Sequence, residues 1–371
     1  MRKHIFFIII LSLFVLQCNS VSPLDTKPDD KLHEIETIID TKMKEMNLPG
    51  VIVSIWMDGR EKYQVKKGKA DIDKNTDRNI DDQFRIASIT KTFVATAVLQ
   101  LVDEGKLKTS DKLSEFFPDF PNADKITVRN LLRMRSGIAD FANADFLEIV
   151  YKSPLKYYTP DELINMSALM KDKFEEPGQK TKYSNVNYTI LGEIVKKVSG
   201  MDIGTFIRKK IFEPLKMTSS IYPTDSTLPG ILHGYSWNTS ENSFDDMTVL
   251  DPRWAGPAGG IISNIPDLNI YVKALYKGDL LSKETRKTRL ESMSFDDLPE
   301  WLQYGEGIAK FGSFWGHNGT IFGFSSEMWY LPEKDAVVLI NVNRLDLDDK
   351  SKSTDIFMAI TKLVFPEYVN W

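Results

Sequence analysis

One stretch constrains this chain more than any other. Val94, Ala95, Ala97, Val98, Leu99, Leu101 and Val102 recur at a spacing that predicts a helix. A helix apolar on most of its surface belongs inside a large domain. Ser88-Ile-Thr-Lys91 opens it. Residues three apart in a helix lie one turn apart on the same face, so the Lys91 ammonium can reach the Ser88 hydroxyl. The helix N-terminus adds partial positive charge and free N–H groups. A serine alkoxide would be stabilised there, and a desolvated lysine of lowered pKa would help to form it. The pair reads as a Ser-Lys nucleophile, which predicts an enzyme.

Ser-x-x-Lys alone is weak, because a capped surface helix carries the same letters. Ser153-Pro-Leu-Lys156 fits the pattern too, but Tyr157, Tyr158 and Pro160 follow it instead of an apolar run. Two later motifs sharpen the reading. Tyr183-Ser-Asn185 lies in a polar turn that runs into the helical pattern from Thr189. His317-Asn-Gly319 is followed by strand-like alternation through Met328, Trp329 and Tyr330. Tyr368-Val-Asn370 and Lys66-Lys-Gly68 repeat the letters out of order. The ordered set of three is far more specific than its parts.

With these motifs the chain resembles the serine beta-lactamases and penicillin-binding proteins. It is most similar to the branch holding class C beta-lactamases, D-alanyl-D-alanine carboxypeptidases, D-aminopeptidases and related esterases. The resemblance runs from about Leu48-Pro-Gly50 to near Val342. The stretches 126–138 and 257–263 support it. It implies that Ser88 is acylated and that Lys91 helps to deprotonate it. Tyr183 would act with Lys91 as general base and then pass the proton to the leaving group. Asn185 would hold a substrate amide, with His317 and Gly319 also on the substrate. The backbone N–H groups of Ser88 and Thr320 would form the oxyanion hole.

His317 departs from the pattern, since many relatives carry lysine there. A histidine of ordinary pKa, about 6.5, is largely neutral at pH 7 and holds a carboxylate less firmly than lysine does. The substitution turns the expectation away from a dedicated beta-lactamase and toward D-peptidases or esterases. If its protonated form held a substrate carboxylate, activity on anionic substrates would fall as pH rose through that value. A turn residue before Asn-Gly is the plainer alternative.

Charge and composition narrow the class. The net charge of −5 comes with no basic cluster, so no nucleic-acid partner is expected. Cys18 is the only cysteine, and His33, His233 and His317 lack metal-ligand spacing, so no metal and no cofactor are expected. His33 would face solvent, and His233 would lie in a loop. No glycine-rich phosphate loop and no Gly-x-Ser-x-Gly elbow occur.

The N-terminus predicts export. Met1-Arg-Lys-His is basic, and Ile5 to Leu16 is apolar apart from Ser12. That run is shorter than the roughly 20 residues of a membrane span but suits a signal-peptide core. Val15-Leu-Gln-Cys18 resembles a bacterial lipobox, with Gln17 where a small residue is usual. Residues 1–17 are therefore expected as a signal peptide and 18–30 as a tether lipidated at Cys18, which anchors the protein to the cell envelope. An ordinary secretory signal with a chance cysteine also exports the chain.

An amphipathic helix is predicted over Lys31–Met46, with Leu32, Ile35, Ile38, Ile39, Met43 and Met46 on one face. Val51–Met57 and Tyr63–Lys67 predict strands joined at Asp58-Gly59. Strand patterns return at Gly260-Ile-Ile-Ser, from Trp315 onward and over Ala336–Asn343. A last helix is expected over Asp355–Val364. Strands at both ends and helices between them predict an α/β (α+β) fold. Residues 31–84 with 255–371 would form a discontinuous α/β domain, and 85–254 an inserted helical one. The resemblance implies an antiparallel, transpeptidase-like sheet flanked by helices. The aromatics Phe141, Phe146, Tyr151, Tyr157, Tyr158, Trp237 and Trp254 read mainly as packing, some shaping an acyl pocket. Two functions follow: a serine hydrolase acting on a D-peptide such as one of the cell wall, an ester or a beta-lactam, or a non-catalytic envelope lipoprotein that binds a ligand through this fold.

Overall fold

The computed structural model describes residues 30–226, 230–346, 351–369 and 371. The expected signal peptide, Cys18 and the tether up to residue 29 lie outside them. Three strands come early: β1 (Gly50–Met57), β2 (Arg60–Asp71) and β3 (Thr76–Asp77). β4 (Phe84–Arg85) leads into Ser88. A hairpin of β5 (Tyr235–Asn238) and β6 (Ser243–Asp246) lies mid-chain, followed by β7 (Ile262–Ser263). Then come β8 (Met293–Ser294), β9 (Leu302–Tyr304), β10 (Ala309–Phe311), β11 (Phe314–Ile321), β12 (Phe324–Leu331) and β13 (Ala336–Val342).

Nine of these strands form one antiparallel sheet in the order β3-β2-β1-β13-β12-β11-β10-β9-β8. Chain ends meet at its centre, where Val53 of β1 stands opposite Ile340 of β13. β13 is buried along its whole length, which is why it reads as an apolar run broken only by Asn341 rather than as an alternating one. The β1–β2 turn has φ of 49° at Asp58 and 74° at Gly59. Positive φ at both central residues is what a two-residue hairpin needs, and Asp-Gly supplies it without strain.

Successive strand residues face opposite ways, so the aromatic contacts of β12 place the covering helices. Trp329 packs on Phe357 of the C-terminal helix Lys352–Val364, at 5.7 Å between ring centroids. Tyr330 packs on Tyr276 of the helix Ile265–Lys277, at 5.1 Å. The first face also carries α1 (Asp30–Glu45), whose Ile35 and Ile39 are fully buried. The second face carries the central helix of the chain, α2 (Thr90–Asp103): Phe93 stacks on Tyr271 at 3.6 Å. α2 is buried from Thr90 through Leu99, as its composition requires.

The short helices α3 (Val128–Leu132), α4 (Ala144–Lys152) and α5 (Pro160–Ala168) and the longer α6 (Val186–Ser199) complete the middle of the chain. The β5–β6 hairpin also lies there: the Tyr235 N–H donates to the Asn343 carbonyl at 3.1 Å, tying this hairpin to the sheet. The predicted strand at Gly260–Ser263 shrinks to Ile262–Ser263, because Gly256–Gly259 form a helical turn. Among the described residues no helix is long and apolar enough to cross a membrane.

Candidate active site

Three chain segments converge on Ser88. The first is its own turn. Ser88 sits in a tight 3-10 turn, Ala87–Ile89, that feeds α2. Ala87 has φ of 48°, a strained conformation for a residue with a Cβ, held by its surroundings. The turn is clamped by β4–β7 pairing, Phe84 to Ser263 and Arg85 to Ile262.

The second segment is the helical turn before β7. It aims the Ala258 carbonyl at Lys91, whose Nζ lies 2.7 Å away. Lys91 is fully buried. Its Nζ also lies 2.9 Å from Ser88 Oγ and 2.8 Å from Asn185 Oδ1. Burial pulls the Lys91 pKa down to about 7, against an opposing pull from the Asp140 charge. The sorting of partners follows from valence. The Ala258 and Asn185 oxygens only accept, so a neutral amine spends both N–H bonds on them. Its lone pair is then left for the Ser88 hydroxyl.

Tyr183 lines the same pocket as Ser88 and sits beside Lys91, whose Nζ lies 4.8 Å from the ring centre. Burial raises the phenol pKa well above its ordinary value. Near pH 7 Tyr183 is thus a neutral O–H, suited to delivering a proton rather than standing as a base. Asn185, the residue before α6, has its carbonyl on Lys91 and its amide donating to Asp140 Oδ2 at 2.7 Å. Its Oδ1 and one N–H are engaged within the protein, so its first job is to orient Lys91.

The third segment is β11. β10 pairs with it only as far as Gly316, and beyond that β11 runs against the Ser88 turn. A Cβ at Gly319 would fall 2.2 Å from the Ile86 carbonyl and 3.1 Å from the Ser88 nitrogen. Only glycine permits this approach. It brings the Thr320 backbone to the pocket that holds Ser88.

His317 is neutral near pH 7, as expected, but its pKa is not the ordinary one. It is 3% exposed, and its pKa is pushed down to about 3 by burial and by the Lys91 charge. Nδ1 lies 2.5 Å from the Asn318 carbonyl, and Nε2 lies 3.2 Å from the Tyr304 hydroxyl. A carbonyl only accepts, so Nδ1 carries the proton, and the unprotonated Nε2 faces the Tyr304 hydroxyl. A cationic His317 that titrates near 6.5 and grips a substrate carboxylate is therefore not what this site contains.

Tyr304 and Asp140 were not singled out by sequence. Tyr304 is buried, with its ring against both Tyr183 and His317 and its hydroxyl 3.4 Å from that of Tyr188. A legible signal stood beside it in Gly305-Glu-Gly307: a Cβ at Gly307 would lie 2.0 Å from the Ala95 side chain of α2. Asp140 lies just beyond Ser136-Gly-Ile138.

A pocket of about 180 Å³ joins these parts. Ser88, Tyr183, Asn185 and Thr320 line its polar side, and Phe141, Leu147, Trp254 and Ile321 its apolar side. Of the seven aromatics flanking the cleft in sequence, Phe141 and Trp254 thus reach the pocket; Phe146 packs behind both of them. Ser153 ends α4, and Lys156 lies over the Tyr158 ring, so that second Ser-x-x-Lys assembles nothing. His33 is exposed. His233 bonds Asp246 at 2.7 Å, outside the pocket. Among the described residues no group of three or more His, Cys, Asp or Glu is placed to hold a metal.

A family model described as Beta-lactamase matches residues 35–361. The protein flp of Staphylococcus aureus (strain NCTC 8325 / PS 47) is 27% identical over 337 residues, 85% of this chain. The match spans only 64% of that protein's length. A D-stereospecific amidohydrolase from Streptomyces sp. superposes with a TM-score of 0.79 at 26% identity, covering 88% of this chain and 98% of that one. A D-amino acid amidase from Ochrobactrum anthropi SV3, complexed with L-phenylalanine amide, does so with 0.79 at 25%, covering 92% and 100%.

Proposed function

The chain belongs to the beta-lactamase family, and on that premise we propose that it is a serine hydrolase that cleaves D-amino acid amide or peptide bonds through an acyl-enzyme on Ser88. The observation that carries the reading is the partnering of Lys91. Two acceptors consume its N–H bonds and leave its lone pair facing the nucleophile. In the first half-reaction Ser88 Oγ bonds the carbonyl carbon while its proton moves to Lys91. The oxyanion meets the backbone N–H groups of Ser88 and Thr320. The C–N bond then breaks, Tyr183 protonates the departing amine, and Lys91 returns a proton to Tyr183. Water attacks the ester in the second half, by the same path reversed. The preference for D-amides is supported by the descriptions of the two solved relatives, and the apolar wall of Phe141, Leu147 and Trp254 suits an apolar acyl side chain.

The test is covalent labelling. Penicillin or a fluorophosphonate should add its mass to the peptide containing Ala87-Ser-Ile, and Ser88→Ala should abolish the adduct with the fold intact. An adduct on Ser153, or none on a folded protein, would refute the acyl-enzyme.

A further inference from the structure

The catalytic pocket is not closed on the side of Tyr183. That residue also lines a second cavity of about 370 Å³, walled by 137–145 and by 170–182. Glu175 and Lys182 of that cavity line a third, of about 280 Å³, which ends at Asp296 and Asp297. The shared residues put the three cavities next to one another, a groove leading away from Ser88 past Tyr183, the group that protonates the departing amine. The groove thus starts on the leaving-group side.

A primary amide releases ammonia, a molecule the size of water, which claims about 30 Å³ in the liquid. The groove is far larger than that. Its walls mix the two kinds of surface: Asp140, Asp145, Glu175, Lys173 and Lys182 carry charges of both signs, beside the apolar Ile138, Ala139, Ala144 and Met170. Such walls suit a peptide, whose backbone needs donors and acceptors once it leaves water and whose side chains bury apolar surface. We propose that the preferred substrate is a peptide of more than two residues, with the scissile bond at Ser88 and a peptidyl amine lying from Tyr183 toward Asp296. This rests on the acyl-enzyme reading above. Atoms balance as for any amide: the acyl carbon passes from nitrogen to Ser88 Oγ, the leaving peptide gains a proton and departs with a free N-terminus, and water frees the acid.

The experiment compares three substrates with one acyl half, D-phenylalanine. They are its primary amide, its amide with one further amino acid, and its amide with a tripeptide. Remote binding energy is used to lower the barrier, so kcat/KM should rise by about tenfold or more from the first to the third. Ala139 lines the second cavity and is not among the residues that line the pocket around Ser88. Ala139→Trp should cancel that gain and leave the primary amide within about twofold of wild type. The free tripeptide should also inhibit amide hydrolysis by the wild-type protein competitively, which decides the matter if Ala139→Trp does not fold. A flat kcat/KM across the three substrates, with Ser88 still labelled by penicillin, overturns the groove and leaves the hydrolase. No label and no hydrolysis overturn both.

Discussion

At the scale of single residues, the site is governed by where protons reside. Lys91 works as a base only when neutral, and burial sets its pKa at about 7. Below that value the amine carries its proton and cannot take the one on Ser88. kcat/KM for a neutral substrate should therefore rise with pH through about 7 and level off above it; a profile flat from pH 5.5 to 8.5 would exclude Lys91 as the base. His317 should contribute no inflection there. With its pKa near 3 the ring stays neutral across that range. Its ring carbon-bound proton resonances should not move between pH 5 and 8, and a titration midpoint near 6.5 would contradict the buried, Tyr304-bonded ring. The identity of His317 and its neutrality at pH 7 were legible in sequence; its burial and its partners were not. A lone histidine before Asn-Gly carries no sign of the Tyr304 hydroxyl 13 residues away. For the same reason Asn185 could be named but not its partners, Lys91 and Asp140, which lie 94 and 45 positions distant.

At the scale of elements, the site depends on a strand lying against a turn. β11 reaches Ser88 because Gly319 has no side chain. Gly319→Ala forces the strand away from Ile86 and carries the Thr320 N–H off the oxyanion. Losing one such donor costs about 10²- to 10³-fold in kcat. We expect that fall, together with slower penicillin labelling of Ser88. Wild-type turnover by this variant would remove β11 from the oxyanion hole. The elements themselves were largely legible. α1, the β1–β2 hairpin, α2, β13 and the C-terminal helix all carry strong local patterns. The expected strand at Gly260–Ser263 was realised only in its second half, Ile262–Ser263. Gly256-Pro-Ala-Gly259 has little apolar period to read, and its helical turn is held by packing against α2 and α6.

At the scale of the whole molecule, one buried acid links the sheet to the C-terminal helix. Glu327 of β12 is 1% exposed. It accepts hydrogen bonds from Thr354 at 2.6 Å, Ser353 at 2.9 Å and Trp329 at 2.5 Å. Burial outweighs these donors and raises its pKa to about 7, from 4.5 in the unfolded chain. Between those values the folded protein holds a proton that the unfolded chain has released, so stability contributed by this group falls as pH rises from 4.5 to 7. Glu327→Gln removes that slope. Urea unfolding at pH 5 and pH 8 should show a smaller loss of stability toward pH 8 in the variant than in wild type. Equal losses would mean that Glu327 is already ionised in the native state. Lys91 contributes an opposite slope above pH 7, but it does so in both proteins and cancels from the comparison.

Which residues could do the chemistry, and in what order they lie on the chain, can be read from the amino-acid sequence alone. Ser88-x-x-Lys91 followed by a mostly apolar helix, Tyr183-x-Asn185 and His317-x-Gly319 are local facts, written in spacing and helical period. Tertiary structure decided what each of them is charged with and faces. Desolvation sets the proton on Lys91, Tyr183 and His317, and desolvation is the sum of everything packed around a group. Distant partners (Asp140, Ala258, Tyr304) then sort the hydrogen bonds. The cavities that run from Ser88 past Tyr183 to Asp296 exist only between segments that the chain brings together from far apart, so no local pattern encodes them.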